Sequence, residues 1–361
     1  MTKAKHLRAL AVVLPQFHPI AENDEWWGKG FTEWTSTSKA KPRFKGHYQP
    51  HIPADLGFYD LRLEESRVAQ AELAKKHGIY GFCYYHYWFH GKRLLERPVN
   101  EIMASGKPDF PFCLCWANEP WTRNWDGANN KIIQEQKYSD CDHLEHIKLL
   151  LNIFKDKRYI KVDEKPLFII YRAAHIPNVK EMINLWNAEA KKNGFKNGLY
   201  LLATTSHSSY DDHSQYGFEA TWDFLPYILS KKTVYKVLKC ESKVSLYGDI
   251  VKRVLETYPV QRPFKKYPGV CPGWDNSPRR AKNAFIVHDS TPDLYEKWLA
   301  HVCEKFEPYS REENFIFINA MNEWAEGNHL EPDLKWGLKY LEATKRILDE
   351  YAKEAIKSNE K

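Results

Sequence analysis

Short apolar runs alternate with helical patterns along this 361-residue chain. That alternation limits the fold more than any other feature. Strand–helix–strand repeats place their strands parallel and their helices on the outer face. The runs are Leu10–Leu14, Gly78–Tyr87, Phe112–Trp116, Leu167–Tyr171, Leu199–Ala203, Ala220–Phe224, Val270–Trp274 and Phe315–Ile318. Between them, apolar residues recur at helical spacing. Glu65–His77 is one such segment, closed by Gly78. Others carry Leu144, Ile147, Leu151 and Phe154, then Val179, Ile183, Trp186 and Ala190, then Leu294, Trp298 and Val302. A last helix, marked by Leu334, Leu338, Leu341 and Leu348, is expected to begin near Pro332. Eight such units predict an α/β fold, a (β/α)8 TIM barrel in a single domain over residues 8–350, with a charged tail at 351–361. A barrel typically needs about 250 residues, and the surplus falls in long loops at the C-terminal face. Ile20–Leu61 and Asn118–Asp140 are both too long for routine connections.

Composition narrows the partners. The net charge of +6 is spread along the chain, which argues against nucleic acid. The densest basic stretch, Lys231–Lys252, reads as a solvated helical face and leaves room for weak attraction to an anionic membrane surface. No stretch has membrane-spanning length and no secretory leader is visible, so the expected location is cytoplasmic. The seven cysteines form no paired pattern, and Cys113 and Cys115 read as buried free thiols on one strand face. No zinc spacing, Gly-rich phosphate loop or nucleophile elbow appears, so no metal and no cofactor is expected. Asp140-Cys141-Asp142 opens an amphipathic helix and reads as capping rather than as a holder of metal and diphosphate.

The sharpest local feature follows the last strand. Phe315-Ile316-Phe317-Ile318 runs into Asn322-Glu323-Trp324-Ala325-Glu326-Gly327. In a parallel barrel that point is the mouth where substrates bind. Cleaving a glycosidic bond needs two carboxyl groups, and residues three apart on a helical turn share one side. Glu323 and Glu326 are therefore the candidate catalytic pair, with Asn322 and Trp324 beside them; capping or pairing with Arg is the structural alternative. Glu331, ahead of Pro332, fits a helix N-terminus equally well. Other strand ends repeat the theme of aromatic rings beside polar groups, which suits the apolar faces and hydroxyls of sugars. They offer Gln16 and His18, Trp34, His86 or Tyr87, Trp116 with Asn118 and Glu119, Trp222 with Asp223, and Trp274 with Asp275. Each also has a structural reading, as a satisfied turn, a loop anchor, core or a surface ion pair.

Taken together, Leu14-Pro15-Gln16-Phe17-His18-Pro19, Trp26 to Trp34, Trp116-Ala117-Asn118-Glu119 and Asn322 to Gly327 resemble the WbsX-type proteins of bacterial surface-polysaccharide clusters. That family is commonly labelled as glycosyltransferases of lipopolysaccharide O-antigen synthesis, and it is similar to glycoside hydrolase family 99, the endo-α-mannosidase barrels. The resemblance implies an oligosaccharide or polysaccharide substrate. It implies Glu323 as the base at a sugar 2-hydroxyl and Glu326 as the acid at the leaving oxygen, through an anhydro-sugar and net retention. A sugar-nucleotide-dependent transferase, with Arg279 and Arg280 on the diphosphate, and a non-catalytic carbohydrate-binding barrel are the alternatives.

Overall fold

The computed structural model describes residues 5–123, 131–205, 212–226, 241–258 and 263–358. Nine parallel strands form its main sheet: β1 (Arg8–Val13), β2 (Gly81–Phe89), β3 (Phe112–Trp116), β4 (Lys165–Ile170), β5 (Tyr200–Thr204), β6 (Ala220–Trp222), β7 (Lys266–Tyr267), β8 (Gly269–Val270) and β9 (Phe315–Ile318). Their order is β7-β6-β5-β4-β3-β2-β1-β9-β8. Only Pro268 separates β7 from β8, so both edges of the sheet belong to one piece of chain and the ring closes. The fold is a TIM barrel with β7 and β8 as one broken stave. Proline has no N–H to give, but the Pro268 carbonyl still accepts from Phe317 N at 3.0 Å. Gly269 permits the crossing, since a Cβ there would lie 2.0 Å from the Asp223 carbonyl oxygen.

This stave is where the sequence reading departs most. The expected strand was Val270–Trp274, yet the sheet is left at Val270. Trp274–Asp275 instead pairs antiparallel with Phe285–His288, which in turn pairs parallel with Lys243–Leu246. The true stave begins at Lys266, directly after Lys265, and is interrupted by a proline, so it lacks an apolar signature.

The helices are α1 (Ala21–Trp27) and α2 (Glu33–Lys39) in the first loop, then α3 (Glu64–Lys76), α4 (Arg97–Ser105), α5 (Asp140–Phe154), α6 (Val179–Lys192), α7 (Tyr247–Thr257), α8 (Pro292–Lys305) and α9 (Lys339–Ser358). The last starts later than expected. Asp333 Oδ1 accepts the amides of Lys335 and Trp336 at 2.9 and 2.6 Å, which makes a turn where the helix was expected. Leu334 is accordingly 70% exposed. The helix continues to Ser358, through most of the charged tail. At α5 the cap is Ser139, whose hydroxyl accepts from Asp142 N at 3.2 Å. The Asp142 carboxylate accepts from Trp88 Nε1 at 2.9 Å, on the outside of the barrel.

Much of the tryptophan excess is core. Trp116, Trp186, Trp222, Trp298 and Trp324 are fully buried. Such side chains dominate core energetics, and removing one typically costs about 3–5 kcal/mol. The six described cysteines are free, and Cys113 and Cys115 are buried. Residues 231–240 of the basic stretch lie outside the described residues; the rest form Lys243–Leu246 and α7. No described helix is long and apolar enough to cross a membrane.

Candidate active site

Beyond β9 the chain turns back on itself. Asn322–Glu323 pairs antiparallel with Asn328–His329 around a short 3-10 turn, Trp324–Glu326. Gly327 closes this hairpin with φ of 54°, and a Cβ there would lie 3.0 Å from the Asp275 Cβ. The turn brings Glu323 and Glu326 to one guanidinium. Arg279 Nη2 donates to Glu323 Oε2 at 2.8 Å, and Nη1 donates to Glu326 Oε1 at 2.7 Å. A third carboxylate arrives from α2, where Glu33 Oε1 accepts from the same Nη2 at 2.5 Å. Glu33 Oε1 also accepts from Ala325 N at 2.9 Å, and its other oxygen meets Gln16 Nε2 at 3.4 Å. The first loop and the hairpin are thereby tied together.

Two buried carboxylates, Glu33 and Glu323, and the part-buried Glu326 around one cation leave an excess of negative charge. Burial pushes the Glu323 carboxyl up, Arg279 pulls it down, and Glu326 and Glu33 push it up again. Burial also raises Glu326, against the pull of Arg279. Burial alone would lower the Arg279 pKa, but the three carboxylates hold it above its ordinary value. A proton is therefore retained easily on the acidic pair near neutral pH.

These acids border a cavity of about 280 Å³, close to the lower end for ligand clefts (roughly 300–1,000 Å³). Trp27, Tyr85, Tyr87, Trp121, Tyr171 and Phe224 supply rings to its walls. Tyr85 and Tyr87 face inward because alternate strand residues share a face. Burial, then the Glu323 charge, keeps both phenols protonated. Glu119 also lines the cavity and lies 3.2 Å from Arg172 Nε. Burial raises its carboxyl, and Arg172 opposes the shift.

Of the residues singled out in the sequence, Gln16, Tyr87, Glu119, Trp274, Glu323 and Glu326 meet at this cavity. The others lie elsewhere, each for a physical reason. His86 points the opposite way from its neighbours on β2, with Nε2 2.9 Å from His146 Nε2 on α5. Trp116 packs outside the barrel and donates to the Trp88 carbonyl at 3.1 Å. Asn118 binds the Arg172 backbone at 2.7 and 3.0 Å, locking β3 to β4. His18 Nδ1 lies 3.1 Å from the Pro15 carbonyl within a buried turn. Trp34 donates to the Tyr59 carbonyl at 2.8 Å and packs on Trp324. Trp222 stacks on Phe317 at 4.4 Å inside the barrel, and Asp223 pairs with Lys266 at 2.7 Å. Asp275 accepts from Gln49 at 2.6 Å and lies 2.7 Å from His47 Nε2, behind Trp274. Asn322 makes two bonds with the Leu14 backbone, at 2.7 and 3.1 Å, pinning the end of β1. Trp324 stacks on His329 at 3.8 Å. The sequence reading missed Glu33, a member of the cluster, and gave Arg279 a different task. Glu33 stands directly before Trp34 in a motif already singled out, which was the available signal.

The chain matches the family described as "Glycosyltransferase WbsX" over residues 9–344. It belongs to that family. Two relatives, each described as "Uncharacterized protein WxcX", come from Xanthomonas campestris pv. campestris strains B100 and ATCC 33913. They are 40% identical over 345 and 344 residues, or 94% of this chain. The chain spans about half the length of these curated relatives, 49% in each case. Among solved structures, the GH99 endo-α-mannosidase from Bacteroides thetaiotaomicron aligns with a TM-score of 0.59 and 16% identity, covering 96% of this chain and 98% of that one. The same enzyme with BIS-TRIS-propane gives 0.58 and 15% at the same coverage. At such identity the likeness is one of fold.

In this WbsX-family chain Glu331 starts no helix. It is buried under the hairpin and accepts from Gln70 at 2.6 Å, Trp324 Nε1 at 2.7 Å and Tyr59 at 2.8 Å. Burial pushes its carboxyl up to about 7, against these three donors. A carboxyl raised above its ordinary 4.5 costs nothing below that pH and destabilises the fold as pH rises through about 7. Glu331→Gln should therefore gain on the parent chain between pH 5 and pH 8, by up to about 3 kcal/mol. Urea unfolding at both pH values reads the gap, and a gap that stays constant would count against this ionisation.

Proposed function

We propose that this chain is a carbohydrate-active enzyme that works on glycosidic bonds of a bacterial surface polysaccharide or a mannan-like glycan, as a retaining hydrolase or transglycosylase. The observation that carries the reading is the pair Glu323 and Glu326, held by one guanidinium on the wall of an aromatic-lined cavity at the C-terminal mouth of a barrel. Family membership and the fold shared with an endo-α-mannosidase support it. In the proposed reaction, Glu323 takes the proton of the sugar 2-hydroxyl and the 2-oxygen attacks the anomeric carbon. The bond to the leaving oxygen breaks as Glu326 gives that oxygen a proton. Water or an acceptor hydroxyl then opens the anhydro-sugar, with Glu326 taking its proton and Glu323 returning one to the 2-oxygen. Elevated carboxyl pKa values suit groups that exchange protons near neutral pH.

The family description favours a second reading, a sugar-nucleotide-dependent glycosyltransferase. Against it, Arg279 is engaged by three carboxylates rather than offered to a diphosphate. The deciding experiment incubates the chain with polysaccharide or mannan fragments, with and without sugar nucleotides. Cleavage or transfer without nucleotide is expected. Turnover that needs nucleotide would replace this reading with the second, and binding without turnover would leave a carbohydrate-binding barrel.

A further inference from the structure

Trp274 borders both the cavity and a smaller chamber of about 60 Å³, which Gly327 also lines. His51 Nδ1, His329 Nε2 and a carboxylate oxygen of Asp333 converge there, all within 4.8 Å of one another. We propose that His51, His329 and Asp333 bind a Zn2+-like divalent cation that braces the hairpin carrying Glu323 and Glu326. This site is independent of the glycosidic reading, since it is defined by ligand atoms and not by what the barrel cleaves.

Each ligand is prepared by its surroundings. His329 Nδ1 lies 2.8 Å from the Glu331 carbonyl, so it carries the proton and leaves the Nε2 lone pair facing the chamber. That backbone anchor is the partner commonly found behind metal-bound histidines. The ring is further fixed by stacking on Trp324, and His51 stacks on Tyr48 at 4.3 Å. Asp333 spends Oδ1 on two backbone amides, while Oδ2 lies 3.9 Å from His329 Nε2. Burial keeps both imidazoles neutral, the form that ligates.

Distances fit after small rotations. Tetrahedral zinc with bonds of about 2.0–2.1 Å sets its ligand atoms roughly 3.3 Å apart. The two imidazole nitrogens, now 2.8 Å apart, would part by about half an ångström, with the His51 proton moving from Nδ1 to Nε2 so that the ring ligates as neutral imidazole. The chamber has room for a water as fourth ligand. Two imidazoles and one carboxylate favour zinc over magnesium or calcium. Lys335 borders the chamber but sits over the Tyr48 and Trp336 rings at 4.6 and 4.9 Å, where its charge is held by aromatic faces. His47 is occupied by Asp275, and His288 lies 3.2 Å from Asp289.

The position gives the ion a task. His51 belongs to the first loop, and His329 pairs in register with Asn322, one residue from Glu323. Backbone bonds already join these segments, from Leu334 N to Ile52 O and from Ala54 N to Pro332 O, each at 2.9 Å. A cation would add a cross-link between the loop and the strand opposite the acids.

The test uses the tag-free full chain, stripped with chelator and titrated with Zn2+ by calorimetry, then with Co2+ by visible absorbance. One equivalent should bind, with the intense cobalt bands of a tetrahedral site and a raised Tm. His51→Gln and Asp333→Asn should each weaken binding by about 100-fold while metal-free Tm stays close to the parent value. Cys141→Ser, which removes the exposed thiol, should leave binding intact. No bound equivalent, undiminished binding in both ligand variants, or loss in Cys141→Ser would each overturn the proposal.

Discussion

Glu326→Gln is expected to lower turnover on a glycan with an ordinary sugar leaving group by about 10²–10⁴-fold, the usual contribution of a positioned proton donor. Glutamine keeps the shape and can still accept from Arg279 Nη1, which the parent side chain does at 2.7 Å. It cannot supply a proton. The assignment of roles makes a sharper forecast with aryl glycosides, whose leaving oxygens depart without protonation. On those substrates Glu326→Gln should recover most of its first-step rate. Glu323→Gln should stay slow on both, because the 2-hydroxyl keeps its proton whatever group leaves. Equal losses on both substrates in both variants would sink the division of labour. The pH profile offers a second check. Both carboxyls are pushed up by burial, so the acidic limb should lie above the ordinary carboxylate range.

Arg279→Met should destabilise the chain by about 3–5 kcal/mol at pH 8, the cost of removing one partner from a buried ionic cluster. The Arg279 guanidinium contacts all three carboxylates. Without it, Glu323 and Glu326 rise further. A carboxyl whose folded pKa is raised costs stability above its unfolded pKa, and that cost vanishes as pH falls and the group protonates in both states. The deficit should therefore shrink toward pH 5. Arg279→Lys should fall between, since an ammonium lacks the planar fork that reaches several carboxylates at once. Guanidinium midpoints at pH 5 and pH 8 measure this directly. A full-sized deficit at pH 5 would point to lost packing instead of uncompensated charge.

The barrel was legible because most staves are apolar runs buried on both faces. The seventh was not, because Lys265, Lys266 and Pro268 give it no apolar period while the backbone still completes the ring. The acidic pair was visible as polar residues beginning where the last strand stops. Its partners were harder to find. Glu33 and Arg279 are 246 residues apart, and no local pattern announces an ion pair at that separation. The tryptophans misled for a different reason. Sequence marks a ring near a strand end but not its direction, so Trp34, Trp116 and Trp324 read like Trp274 although they pack inward or outward as core. On β2 the period of two narrowed the choice to alternating faces. It left open whether His86 or Tyr87 looks into the mouth, and the pairing of His86 with His146 on α5 resolves it.

Glu33 joins α2 to the hairpin by accepting from Ala325 N and Arg279 at once. Arg279 leaves the ribosome 246 residues later and Ala325 292 residues later. During synthesis the early segments can fold against one another, but the acidic cluster has no geometry until the final stave is released. A chain stalled short of Glu326 would hold much of the barrel and none of the assembled trio.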